Sequence, residues 1–204
     1  VGLLVRRSLP ARIKAVIFDF DGTLSLIRSG WMEVMVPMMV ETLAALETGE
    51  TEEELERLVR EFVTRLTGKQ TIYQMIALAE EVKKRGGTPR DPLDYKHRYL
   101  DLLWAEIKDR IDGLQSGAID PRDMLVPGSI ELLESLKARG IRIFVASGTD
   151  EVYAAPEADL LGITPYVEGK VHGAIDDYRS FSKRKVIQAI IRGNKLREGA
   201  LAGI

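Results

Sequence analysis

The apolar run Ala15-Val16-Ile17-Phe18 breaks off into Asp19-Phe20-Asp21-Gly22-Thr23, and this junction constrains the fold more than any other stretch. Four apolar residues, β-branched and aromatic among them, read as a strand buried on both faces. The change to acid, acid and glycine puts a polar site where that strand stops. Two carboxylates two residues apart repel each other unless a cation lies between them or one proton is shared. Gly22 permits the sharp turn that follows. Asp-x-Asp alone also fits an acidic turn, so other segments must discriminate.

Three zones follow along the chain. The first is the strand at about 14–20. The second, from about Ser29 to Asp120, carries helical periodicity throughout. Ser29 is expected to cap a helix through Trp31, Val34, Met35, Met38 and Met39, kinked at Pro37. Thr51-Glu52-Glu53-Glu54 is a capping-box pattern, with Leu55, Leu58, Val59, Phe62 and Leu66 at helical spacing behind it. Gly68 ends that helix. Ile72, Met75, Ile76, Ala79 and Val82 form another apolar face, closed by Gly86-Gly87. Tyr95, Tyr99, Leu102, Leu103 and Ile107 form a fourth, after the break at Pro89-Arg90-Asp91-Pro92. Four amphipathic helices in a row predict a bundle with a core of its own.

The third zone alternates strand and helix. Ser129–Leu136 is helical, Ile141–Ala146 is a buried strand, a helix covers about 150–161 around Pro156, Val167 opens a short strand, and about 183–191 is helical. Such alternation predicts an α/β fold, a Rossmann-like parallel sheet covered on both faces. The helical zone is then an insertion, dividing the chain into an α/β core of 1–27 and 121–204 and a helical part of 28–120.

Ser147-Gly148 directly follows the strand Ile141–Ala146. Ligands of a parallel sheet bind beyond the carboxyl ends of its strands, where a hydroxyl and the next N–H can each donate to a phosphate oxygen. Alternatively Ser147 opens a turn. Ser182 is a plausible N-cap for the helix beginning Lys183-Arg184-Lys185. A lysine there is most simply a solvated helix end, or else a fixed positive charge beside an anionic ligand. Thr67-Gly68-Lys69-Gln70-Thr71 stands between two helices, and Lys69 and Gln70 are candidates for substrate contact, as are Arg28 and Trp31. Asp176-Asp177 reads as a turn, and His97 and His172 show no metal-ligand spacing.

Val16-Ile17-Phe18-Asp19-Phe20-Asp21-Gly22-Thr23-Leu24 resembles the first motif of the haloacid dehalogenase superfamily, in its phosphatase branch with a helical cap (phosphoglycolate phosphatase and β-phosphoglucomutase-like). Val145-Ala146-Ser147-Gly148 resembles the second motif, and Lys183 at its helix start the third, with Lys185 as the alternative. The resemblance implies an HAD-like core, with residues 28–120 as the cap. It implies that Asp19 is the nucleophile and Asp21 the general acid and base. Thr23, Ser147 and Gly148 would bind phosphate beside Lys183. A Mg²⁺ ion would be held at Asp19 and, through its backbone carbonyl, Asp21. The family's fourth motif, a strand ending in Gly-Asp with a further acid, is not reached: Leu201-Ala202-Gly203-Ile204 looks like its opening. A truncated chain is the expectation that follows.

The implied activity is hydrolysis of a small phosphorylated metabolite through an aspartyl-phosphate. The alternatives are a phosphosugar mutase and an inactive phosphate-binding paralogue. A dehalogenase is disfavoured, because that branch does not need the acid present as Asp21. With 29 basic and 31 acidic residues the chain offers no basic field for nucleic acid. Zero cysteines leave no disulfide or thiol nucleophile and fit a reducing compartment, so a cytoplasmic location is expected. No apolar run approaches the roughly 20 residues of a membrane span, and the start, Val1–Arg7, lacks the form of a signal peptide.

Overall fold

The computed structural model describes residues 13–179, 182–196 and 200–204; the reading of Val1–Arg7 lies outside them. Four strands form one parallel sheet in the order β3-β2-β1-β4: β1 (Ala15–Phe18), β2 (Arg142–Asp150), β3 (Val167–Ala174) and β4 (Leu201–Gly203). β1 is central, which is why every residue in it is buried. Its side chains alternate between two cores, as a strand period of two requires. Val16 and Phe18 face one, with Leu133 of α5 (Ser129–Ala138) and Ala154 and Ala158 of α6 (Glu151–Leu160). Ala15 and Ile17 face the other, with Val186 and Ile190 of α7 (Lys183–Gly193). Ala15–Ile17 pairs with Leu201–Gly203, so the expected strand start at the chain's end is a strand of the sheet.

Between β1 and α5 lie α1 (Trp31–Ala44), α2 (Glu52–Leu66), α3 (Ile72–Lys84) and α4 (Pro92–Ser116). The capping box of α2 forms as the sequence predicts: Thr51 Oγ1 accepts the Glu54 N–H, and Glu54 accepts the Thr51 N–H. Ser29 does not cap α1. Gly30 takes that position in a left-handed conformation at φ 92°, which an L side chain adopts at a cost. The helical half also has no separate core. Leu55, Val59, Met75, Tyr99 and Leu103 belong to the same buried cluster as Val16 and Phe18, so the bundle and one face of the sheet share an interior.

The two connections to the helical half run side by side. The Leu26 N–H donates to the Met124 carbonyl and the Val126 N–H to the Leu24 carbonyl, at 2.8 and 3.0 Å. Arg110 of α4 donates to the Ile27 and Ser29 carbonyls, both at 2.7 Å, clasping the outgoing connection. The insertion therefore leaves and returns at one point, just beyond the carboxyl end of β1.

Candidate active site

Asp19 is the first residue past β1. Its N–H donates to the Ile204 carbonyl at 2.9 Å, which fixes its backbone to the end of β4. Its Oδ1 accepts from the Phe20 N–H and from Lys183 Nζ, each at 2.8 Å. Its Oδ2 takes no hydrogen bond from any described residue. One oxygen is thus anchored and the other is left to the cleft.

Lys183 reaches Asp19 because α7 begins there. Ser182 Oγ accepts the Lys185 N–H at 3.2 Å, a side-chain cap that fixes the first turn. Lys185 lies about half a turn further round and donates to the Arg179 carbonyl at 2.9 Å. Of the two lysines, Lys183 is the one at Asp19.

Asp21 is held from β2. Its Oδ2 accepts from Ser147 Oγ and Thr149 Oγ1, both at 2.9 Å, and Ser147 Oγ in turn accepts the Thr149 N–H at 2.9 Å. Residues 147 and 149 fall on one face of an extended chain, so both hydroxyls reach the same oxygen. Asp21 Oδ1 is buried and, among the described residues, has no hydrogen-bond partner. Here the structure departs from expectation. Ser147 is fully buried and commits its hydroxyl to Asp21, and Thr149, not Ser147, lines the cleft.

The cleft encloses about 110 Å³ between the sheet end and the helices. Asp19, Asp21, Thr149 and Asp150 form its sheet side. Trp31, Met35, Leu100 and Leu103 form an apolar wall opposite, interrupted by Gln74 and Tyr99. Burial pushes the Tyr99 phenol well above its ordinary range, so it stays a neutral donor. Lys69 lines the cleft and is exposed; Gln70 is buried and does not line it, because the loop turns one side chain outward and the next inward. Thr23 is half-buried in the turn, its N–H on the Phe20 carbonyl, and it too is not part of the cleft lining. Gly148 matters through its missing side chain. A β-carbon there would stand 2.5 Å from the Lys69 carbonyl oxygen, so glycine is what lets the 67–71 loop close on the sheet.

Arg28 lines the cleft, but its charge is already paired. Its Nε lies 3.1 Å from both Glu157 oxygens and an Nη lies 2.6 Å from one of them. Burial opposes the guanidinium charge, yet Glu157 more than offsets it and holds the Arg28 proton above its ordinary range. Sequence reasoning missed Thr149, Asp150, Gln74, Tyr99 and Glu157. Only Thr149 left a local signal, two positions beyond Ser147 on the same strand face.

A carboxylate with one free oxygen, held by an ammonium at the end of a parallel sheet, beside a second fixed carboxyl, defines a hydrolase-like α/β site. A family model described as haloacid dehalogenase-like hydrolase matches residues 13–194, and the chain belongs to that family. Among curated proteins nothing matches. Among solved structures, the chain is similar to β-phosphoglucomutase from Clostridium difficile, at TM-score 0.61 and 15% identity, covering 94% of this chain and 75% of that one. It is similar to a predicted phosphoglycolate phosphatase from Haemophilus somnus, at TM-score 0.56, 17% identity and coverage of 94% and 76%. CbbY from Rhodobacter sphaeroides, in complex with xylulose-(1,5)bisphosphate, gives TM-score 0.53, 19% identity and coverage of 94% and 77%. At these identities the likeness is one of fold.

Proposed function

We propose that this chain is a phosphatase of small phosphorylated metabolites that works through an aspartyl-phosphate on Asp19. The observation that carries the reading is the asymmetry of the two acids. Asp19 keeps Oδ2 uncommitted while Oδ1 is anchored, and Asp21 has Oδ2 saturated by two hydroxyls while Oδ1 is buried without a partner. A buried, unpaired carboxyl oxygen costs about 1–3 kcal/mol. That cost is recovered if Oδ1 carries a proton to a leaving oxygen or accepts one from water.

In the first step Asp19 Oδ2 bonds to phosphorus, the P–O ester bond breaks, and the ester oxygen takes the electron pair and a proton from Asp21. In the second, Asp21 removes a proton from water, whose oxygen bonds to phosphorus while the Asp19 O–P bond breaks and releases phosphate. Lys183 keeps Asp19 aligned and offsets the charge growing on the phosphoryl oxygens. Thr149 and the Gly148 backbone stand at the same edge, while Lys69, Gln74 and Tyr99 face the leaving group.

The donor set fits a hard divalent cation, since the free Asp19 oxygen and the Asp21 backbone carbonyl are oxygen donors of the kind Mg²⁺ takes alongside water and substrate phosphate. Among the described residues no group of three or more histidine, cysteine or acidic side chains gathers. When bound, Mg²⁺ would neutralise charge between the carboxylate and the phosphoryl group. The lack of cysteine supports a cytoplasmic setting, and among the described residues no helix is long and apolar enough to cross a membrane.

The test is phosphate release from a panel of small phosphomonoesters with and without Mg²⁺, comparing wild type with Asp19→Asn. Turnover is expected to fall by at least about 10³-fold in the variant, and turnover that survives would remove Asp19 as nucleophile. An isomerised sugar phosphate in place of free phosphate would select the mutase reading.

A further inference from the structure

Lys96 lies on α4 and is only 2% exposed. Its ammonium is 2.7 Å from Asp150 Oδ1 and 2.8 Å from Asp176 Oδ1. Neither acid belongs to the helical half: Asp150 ends β2, and Asp176 lies between β3 and α7, on the segment that leads to Lys183. We infer that Lys96 is a positioning residue, through which the seating of α4 on the sheet sets the Asp21 carboxyl by way of Asp150 and Thr149.

A buried ammonium is costly unless it is paired, so the seating of α4 depends on its partners, chiefly Asp150, the more buried of the two. Asp150 is bonded directly to Thr149, whose hydroxyl and N–H both enter the Asp21 network. The register between β2 and β3 shifts between Ala146 and Asp150, so regular strand pairing does not fix residues 147–149. Strand pairing resumes only at Asp150 with Ala174, and between Ala146 and that pair the segment is held by side chains, Ser147 and Thr149 on Asp21, with Asp150 itself on Lys96. The helical half presses on the same segment a second time where the Lys69 carbonyl closes on Gly148. Under this arrangement Asp21 is correctly held only while α4 is seated, which couples closure of the helical half to proton transfer.

This inference rests on the phosphatase reading for the role of Asp21, and its test separates the two. Lys96→Met, Asp150→Asn and the double variant are assayed on p-nitrophenyl phosphate with Mg²⁺. Each single change is expected to lower kcat by about 10- to 100-fold, with the double variant no worse than the worse single, because coupled residues are not additive. KM should move by less than about threefold. Multiplying losses, or an effect confined to KM, overturn the inference. Hydrogen exchange of the Lys96→Met chain, read by mass spectrometry, should quicken in peptides spanning 147–151 and 20–25 while α2 is unchanged. Unchanged exchange at those two segments overturns the inference whether or not the chain turns over substrate. Quickened exchange in a chain whose wild type hydrolyses no phosphomonoester keeps the coupling and removes the phosphatase reading. Where Lys96→Met does not fold, Asp176→Asn replaces it, since that carboxylate is 62% exposed. It should lower kcat about two- to fivefold and quicken exchange at 147–151, and no change in either readout overturns the inference.

Discussion

Two cations tie the helical side of the molecule to the sheet, and they do so differently. Arg28 and Glu157 form a closed pair: both side chains are nearly inaccessible, at 6% and 5%, and three short contacts join a planar guanidinium to both carboxylate oxygens. Lys96 is a point charge shared between a buried acid and an exposed one. The planar fork matches one carboxylate geometry, whereas an ammonium with three rotatable donors accepts several. Arg28 stands just past the outgoing connection and holds α6 beside it, so it behaves as a fixed bolt. Lys96 stands far along the helices, on α4, and joins them to the end of β2 and to the segment after β3, the contact that the coupling inferred above would use.

The comparison is broken or sharpened most strongly at Glu157. Replacing it by leucine leaves the Arg28 guanidinium buried without its anion, and removing one partner of a buried pair costs about 3–5 kcal/mol. Glu157→Leu is therefore expected to lower unfolding free energy by that amount in urea or thermal denaturation, and Arg28→Met combined with it should recover most of the loss. Asp176→Asn, at the exposed end of the Lys96 cluster, should cost under about 1 kcal/mol. Equal losses at Glu157 and Asp176 would erase the distinction between bolt and adjustable contact.

What the sequence disclosed follows the same division. The positions of Asp19, Asp21 and Lys183 at one end of the sheet were legible because each sits at the end of a strand or the start of a helix that local pattern identifies, whereas Ser147 was placed correctly at its strand but bonds Asp21 and does not line the cleft. The Thr51 capping box was legible for the same reason. Lys96 was not, since its partners Asp150 and Asp176 lie far along the chain and only the fold unites them. One signal existed: Lys96, Tyr99 and Leu103 recur at helical spacing, so a lysine lies on a buried stripe and needs a partner. Glu157 had no such signal, and that Asp21 receives both hydroxyls, Ser147 and Thr149, depends on β2 lying beside β1, which the fold alone decides. The shared interior of bundle and sheet was equally hidden, because periodicity shows which face of a helix is apolar and not what covers it.

A smaller effect is expected at Gly148, where the helical loop meets the sheet without any charge. Its restriction is space and not backbone angle, since it is the Lys69 carbonyl that a β-carbon would strike. Gly148→Ala must push the 67–71 loop away, at a cost of about 1–3 kcal/mol for overpacking. Because Lys69 faces the cleft, KM should rise more than kcat falls, the opposite of the pattern expected for Lys96→Met. Identical kinetic patterns in the two variants would mean that both act only by loosening the same interface.

The smallest effect tests the comparison from outside the cleft. Arg85, near the end of α3, joins Glu50 at 2.6 and 2.7 Å and Glu81 at 2.6 Å on the surface of the helical half. Hydrogen bonds from Arg85, then from Thr48, draw the Glu50 carboxyl from 4.5 to about 2. A folded value below the unfolded one means that Glu50 contributes in full above about pH 4.5 and that its contribution disappears as the pH falls towards 2. Solvent and salt screen the exposed pair, so Glu50→Gln should cost under about 1 kcal/mol at neutral pH. The difference between wild type and variant should vanish by about pH 2 and shrink in 1 M salt. The Arg28–Glu157 pair should keep its effect in the same salt, because ions do not reach a buried pair. Denaturation of the three chains at low and high salt measures both at once, and a salt-sensitive loss at Glu157 would show that the cleft pair is as open to solvent as the one at Glu50.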